Sequence, residues 1–188
     1  MVGACDTFDT QVPSVISPNS VQGQALARLW GGDVERLDRE LHEALADATP
    51  IAEIQKAGKT SRYPVGTVAA VPQGGRRVFF LAHSEMNAAN EARATTDGIW
   101  KSLLSLWEAV SRHANGGAVS LPAIGGGQAR IAQILPPQDS IRFIAFSFML
   151  ASRKEKICDE LRIVVQPENY DLLDRLELQA FLDSLEMT

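Results

Sequence analysis

The chain has 188 residues, 45% hydrophobic and 22% charged, which fits one globular domain of ordinary composition. Its formal net charge of -5 excludes a general nucleic-acid binder, which needs a basic face to neutralise phosphates. No run approaches the roughly 20 apolar residues of a membrane helix, and no signal peptide stands at Met1.

Val2-Gly3-Ala4-Cys5 reads as a strand from the outset, which leads to the expectation of a domain cut from a longer protein. Val12 to Ser17 reads as a second strand, ending at Pro18-Asn19-Ser20. A helix is expected over Val21 to Trp30, stopped by Gly31-Gly32. Asp33 can cap the next one, where Val34, Leu37, Leu41 and Leu45 share a face ahead of Pro50. Ala57 to Arg62 reads as a polar loop. Thr67 to Val71 and Val78 to Ala82 read as strands around the turn Pro72-Gln73-Gly74-Gly75, the second apolar enough to be central in a sheet. Glu85 to Arg93 is polar. Thr96 to His113 is a long amphipathic helix with Ile99, Leu103, Leu106, Trp107 and Val110 as its stripe.

Ala118 to Ile124 reads as a strand running into Gly125-Gly126-Gly127, with a helix over Gln128 to Leu135 and a break at Pro136-Pro137. Asp139 or Ser140 can cap a helix through Ala151. Glu160 to Val165 reads as a strand and Asp171 to Leu185 as a final helix, apolar at Leu172, Leu173, Leu176, Leu182 and Leu185. Strands alternating with helices predict an α/β fold with helices on both faces of a mostly parallel sheet.

Ligands of such sheets bind at the carboxyl ends of strands, where loops meet helix N-termini. Three loops qualify, Asp6 to Asp9, Pro18 to Gly23 and Gly125 to Arg130, with Tyr63-Pro64-Val65-Gly66-Thr67 as a fourth. The triple glycine is neither a Walker loop nor a GxGxxG fingerprint. It reads as an anion loop or as a flexible turn. Asp6 and Asp9 flank Phe8; one carboxylate can accept from a purine amino group while the ring covers a base or ribose, or the aspartates serve as turn and cap residues. Asn19 and Ser20 can cap the following helix or bind ribose hydroxyls. Arg130 can pair with phosphate or stay solvated.

Catalytic signals are sparse. No GxSxG is present. His83 is the best lone base, with Glu85 the nearby acid, and a structural histidine is the competing reading. Cys5 and Cys158 read as reduced, buried thiols, and His42, His83 and His113 lack ligand spacing, so no metal is expected.

Taken together, Tyr63-Pro64-Val65-Gly66-Thr67-Val68-Ala69, the run Ser120-Leu121-Pro122-Ala123-Ile124-Gly125-Gly126-Gly127 and Asp6 after the first strand resemble a macro domain. That resemblance implies a three-layer α/β/α fold with a mixed, mostly parallel central sheet over residues 1–188. Asp6-Thr7-Phe8-Asp9-Thr10, Ser17-Pro18-Asn19-Ser20-Val21-Gln22-Gly23 and Trp100-Lys101-Ser102-Leu103-Leu104-Ser105-Leu106-Trp107 further resemble the macro-like domain of type II Thoeris anti-phage effectors.

The narrower resemblance implies a sensor of an ADP-ribose-derived signal, a histidine conjugate made by a partner TIR-domain NADase. It also implies a cytoplasmic domain, excised from a longer effector whose N-terminal segment anchors it in the bacterial inner membrane. A homo-oligomer is the expected assembly, with no cofactor. The implied ligand site combines Asp6 and Phe8 with Asn19, Ser20, Val21, Gln22 and Gly23. Pro64, Val65, Gly66, Ile124, Gly125, Gly126, Gly127, Gln128 and Arg130 complete it. Hydrolytic macro domains carry an Asn-Ala-Ala-Asn segment where this chain has Pro18 to Gly23. Asn87-Ala88-Ala89-Asn90 spells that motif elsewhere in the order of elements. Binding without turnover is therefore the expectation. The alternative is an ADP-ribosyl hydrolase in which Asn19 or His83 orients water.

Overall fold

In the computed structural model, which describes residues 1–114, 116–124 and 135–186, the apolar run near residue 80 is the centre of the main sheet. It is β5 (Arg76–Met86). On one side it pairs in parallel with β1 (Val2–Cys5), Val2 opposite Phe80, with a register irregularity between Ala4 and Cys5. On the other it pairs antiparallel with β4 (Val68–Gln73). Gly74 and Gly75 join the two, both at positive φ (54° and 76°), the backbone that a two-residue hairpin demands.

Three further strand pairs surround this core. Glu85 and Met86 fold back on β6 (Ala92–Arg93). β7 (Val119–Pro122) runs parallel to β8 (Leu161–Val164), and the Met1 nitrogen donates to the Ser120 carbonyl (2.5 Å), bringing β7 alongside β1. β2 (Ala52–Glu53) and β3 (Ser61–Arg62) form a small antiparallel ribbon. The fold is α/β with parallel and antiparallel pairs in a mixed sheet, as expected.

Alternation along β5 builds the layers, because successive side chains point to opposite faces. Phe79 and Leu81 join one buried cluster with α3 (Thr96–His113) and Ile144 of α4 (Pro137–Ser152). Phe80 and Ala82 join another with Leu26 of α1 (Val21–Leu29) and Leu37 and Leu41 of α2 (Val34–Ala44). The five stripe residues of α3 are all fully buried, each worth roughly 1.5–3 kcal/mol over exposure. Trp107 satisfies its indole N–H on Ser147 Oγ (2.9 Å). Asp33 caps α2 as expected, accepting from the Arg36 N–H (2.9 Å).

Several expectations are corrected. Val12 to Ser17 is a turn, not a strand: the Val15 and Ile16 N–H groups both go to the Gln11 carbonyl, and Pro13 has no N–H for a ladder. The supposed polar loop contains β3, in which Arg62 pairs with Ala52 and Ser61 with Glu53. Neither Asp139 nor Ser140 caps α4; Pro136 occupies the cap without a side-chain bond, and Ser140 Oγ accepts the Ile124 N–H instead (2.8 Å). The final helix starts later than expected, as α6 (Arg175–Glu186), and a separate turn of helix, α5 (Pro167–Tyr170), precedes it. Leu172 and Leu176 are 80% and 85% exposed, so they do not pack as an apolar face. The helix expected over Gln128 to Leu135 lies mostly outside the described residues.

Candidate functional site

The carboxyl ends of β1, β5, β7 and β8 open on one cleft of about 480 Å³. β1 contributes Gly3, Ala4 and Cys5, and β5 contributes His83, Ser84 and Met86. The start of α1 supplies Asn19, Ser20, Val21, Gln22 and Gln24. Pro122, Ala123 and Ile124 follow β7, and the wall past β8 runs from Val164 through Gln166 and Pro167 to Asn169. This is where an open α/β sheet is expected to bind ligands.

The α1 end is built for an anion. Ser20 is the N-cap, its Oγ accepting from the Gly23 N–H (3.0 Å) while donating to the Ser17 carbonyl (2.7 Å). The Val21 and Gln22 N–H groups have no acceptor among the described residues, so the helix presents unpaired donors and its positive dipole end. Gly23 sits behind this surface and does not line the cleft. A Cβ there would stand 2.3 Å from the Ser17 carbonyl oxygen and 2.8 Å from Pro18 Cα. Gly23 is therefore what lets α1 fold back on residues 17–18.

Asn19, Ser20, Val21, Gln22 and Ile124 line the cleft together. Asp6 and Phe8 do not line it. Asp6 is 1% exposed, and its carboxylate already accepts from the Met86 N–H (2.8 Å) and from Arg62 Nε (2.6 Å). Burial raises the Asp6 carboxyl above its ordinary value, against the opposing pull of those two partners. Phe8, 1% exposed, stands edge-on to Tyr63 with ring centres 5.6 Å apart, so it fills core and covers no ligand in this state. Pro64, Val65 and Gly66 also lie off the cleft. Gly66, at φ 100°, donates to the Ala82 carbonyl (2.7 Å) and faces Ser105 of α3. Gly125, Gly126, Gly127, Gln128 and Arg130 lie outside the described residues.

Sequence reading missed the wall after β8 and the floor at Gly3, Ser84 and Met86. The strand-end rule that picked the other loops would have found Gln166 and Asn169 had it been applied to Glu160 to Val165. Asn87 and Asn90 belong to the β5–β6 turn, where Asn87 Oδ1 accepts from the Ala89 and Glu91 N–H groups (both 2.9 Å).

No Asp, Glu, Lys or Arg lines the cleft among the described residues. His83 is packed over Gly3, where a Cβ would meet its ring at 2.6 Å. Its Nδ1 lies 3.3 Å from the Leu81 carbonyl, and burial pushes the imidazole below its ordinary value, keeping it neutral. Burial also pushes the Cys5 thiol up. A thiol held protonated is a weak nucleophile. Among the described residues no three His, Cys, Asp or Glu side chains gather into a metal site, and no helix is long and apolar enough to cross a membrane.

A family model described as "Thoeris protein ThsA, Macro domain" matches residues 1–166. No curated protein matches the chain. Helices α5 and α6 thus lie beyond the matched span, although Pro167 and Asn169 still line the cleft.

Proposed function

Given that the chain belongs to the macro-domain family of the Thoeris protein ThsA, we propose that its cleft is the sensor site for an ADP-ribose-type signal in anti-phage defence. One observation carries this reading. The cleft at the strand ends receives the start of α1, with the Val21 and Gln22 N–H groups open for a diphosphate. Among the described residues no charged side chain lines the cleft, so there the ligand is held by hydrogen bonds and helix dipole. Ile124 brings the segment leading to the glycine triplet to the same cleft, and Gly125, Gly126, Gly127, Gln128 and Arg130 supply the remaining phosphate contacts.

In this reading the signal is a histidine conjugate of ADP-ribose released by a partner TIR-domain NADase. Its binding favours one packing of protomers in a homo-oligomer, and that shift triggers an effector held at the bacterial inner membrane by a further segment. A ligand drives such a change only through unequal affinity for the two arrangements. The site binds and does not turn over: neither His83 nor Asn19 has a carboxylate partner among the described residues.

Calorimetry with ADP-ribose and its histidine conjugate, alongside chromatography of the mixture, tests the proposal. Saturable binding with the ligand recovered intact is expected, tighter for the conjugate. No binding of either compound overturns the sensor reading. Release of free ADP-ribose from an ADP-ribosylated protein at enzymatic rates replaces it with the hydrolase.

A further inference from the structure

Below the α1 end of the cleft lies a buried, heavily engaged charge. Asp9 is completely buried. Its Oδ2 accepts from Thr7 Oγ1 (2.5 Å) and from Lys56 Nζ (2.7 Å), and its Oδ1 accepts from the Lys59 N–H (2.7 Å). The Asp9 and Lys56 side chains are both sealed from solvent. Gly58, at φ 86°, closes the loop so tightly that a Cβ would stand 2.3 Å from Asp9 Oδ1. With the Cys5 thiol, 3.8 Å from Oδ2, four groups thus clamp one carboxylate, and with it the backbone that bears it.

That backbone reaches the cleft. Gln22 Nε2 donates to the Asp9 carbonyl oxygen (2.5 Å), and Gln22 lines the cleft. A peptide carbonyl only accepts, so the amide must turn its NH₂ toward Asp9. With one Nε2 hydrogen spent on Asp9, Oε1 is the acceptor the side chain keeps for an occupant. The same sense recurs nearby. Gln24 Nε2 is spent on the Asn19 carbonyl (3.1 Å), and Ser84 Oγ faces the Ala4 carbonyl (3.5 Å). The α1 wall therefore offers backbone N–H donors at the helix start and side-chain acceptors beside them.

We infer that Gln22 is a specificity-determining residue that reads a hydroxyl or amino donor of the ligand through Oε1, and that Thr7, Asp9 and Lys56 are positioning residues that fix the amide in that sense. The inference rests on the cleft being the ADP-ribose site. It adds that Gln22 faces a ribose hydroxyl or base amino group and not a phosphate oxygen, which an amide oxygen would repel. It also gives the buried ion pair a role in binding without contact to ligand.

The test uses the full chain, with ADP-ribose as probe and Thr7→Val as the gentle disturbance of the clamp, since valine keeps the shape and leaves the Lys56 pair in place. In ¹⁵N spectra of the free protein, the side-chain amide pair lost in Gln22→Met should exchange slowly in wild type and faster in Thr7→Val. In calorimetry, Gln22→Met should lose about tenfold in affinity, the net value of one hydrogen bond. Thr7→Val should lose about threefold. Added to Gln22→Met, Thr7→Val should cost nothing more, because its effect passes through the missing amide. A Gln22 amide exchanging as freely as an exposed one overturns the positioning, and so do losses that simply add. If wild type binds ADP-ribose and Gln22→Met binds it equally well, Gln22 reads nothing. If wild type binds no ADP-ribose, the reading of the cleft itself fails, a result separate from the other three.

Discussion

His83 shows how a residue that looks chemical in the sequence is made structural by its surroundings. Its ring is packed over Gly3, where no other residue leaves room, and burial holds its pKa below the ordinary value. The unfolded chain therefore binds a proton at a higher pH than the folded one. Stability attributable to the neutral ring is present above the ordinary histidine range, about 6.5. It is lost as pH falls from there toward the lowered folded value. His113 is shifted the same way, so the whole protein's profile does not isolate His83. Comparison with His83→Gln does. Urea titrations between pH 7.5 and 5.5 should show wild type losing more stability on acidification than the variant. Equal slopes would mean that the folded ring accepts a proton as readily as a free imidazole.

Among elements, the β2–β3 ribbon was the least legible in the sequence, and its energetics say why. Helices α2 and α3 announce themselves through apolar spacing, α1 and α2 through caps at Ser20 and Asp33, and β5 through its continuous apolar run. The ribbon has no such pattern, with both residues of β2 exposed. It is fastened by charge: Arg62 to Asp6, Lys56 to Asp9, and Lys59 to Asp38 (2.7 Å). Pairings between residues far apart along the chain, 56 positions for Arg62–Asp6 and 47 for Lys56–Asp9, leave no local periodicity to read. The same pairings removed Asp6 from the cleft, so the site was legible where a helix start exposes it, at Asn19 to Gln22, and not where another segment covers it. Of the three fastenings, the Lys56–Asp9 pair should far outweigh Lys59–Asp38, which is partly exposed on both sides and worth about 1 kcal/mol or less. Lys56→Met leaves the Asp9 carboxylate buried without a counter-ion and should cost about 3–5 kcal/mol in urea unfolding. Lys59→Met, by contrast, should cost less than about 1 kcal/mol. Similar losses for both would place the weight on the loop backbone rather than on the buried charge.

At the scale of the whole molecule, the cleft is assembled from parts that are separate in the sheet. Its floor comes from the β1–β5 pair and its far wall from the β7–β8 pair. Helix α1 enters from the opposite layer and brings the open Val21 and Gln22 N–H donors. An unfolded chain has no such convergence, so a ligand here binds the folded state alone and stabilises it by mass action. At 100 times its dissociation constant the gain is about 2.7 kcal/mol. For a chain of this size each kcal/mol moves the melting temperature by about 2–4 °C, giving an expected shift of roughly 5–11 °C for ADP-ribose in a thermal melt. The shift also reports on cooperation between the two strand pairs. If they unfold as one unit, fluorescence and far-UV dichroism should move together with ligand. If ligand displaces only one of two separable transitions, the β7–β8 half melts independently. The contacts that join it to the rest, the Met1–Ser120 bond and the packing of Leu121 and Ile144 against Leu103 and Leu106, would then be weaker than their burial implies.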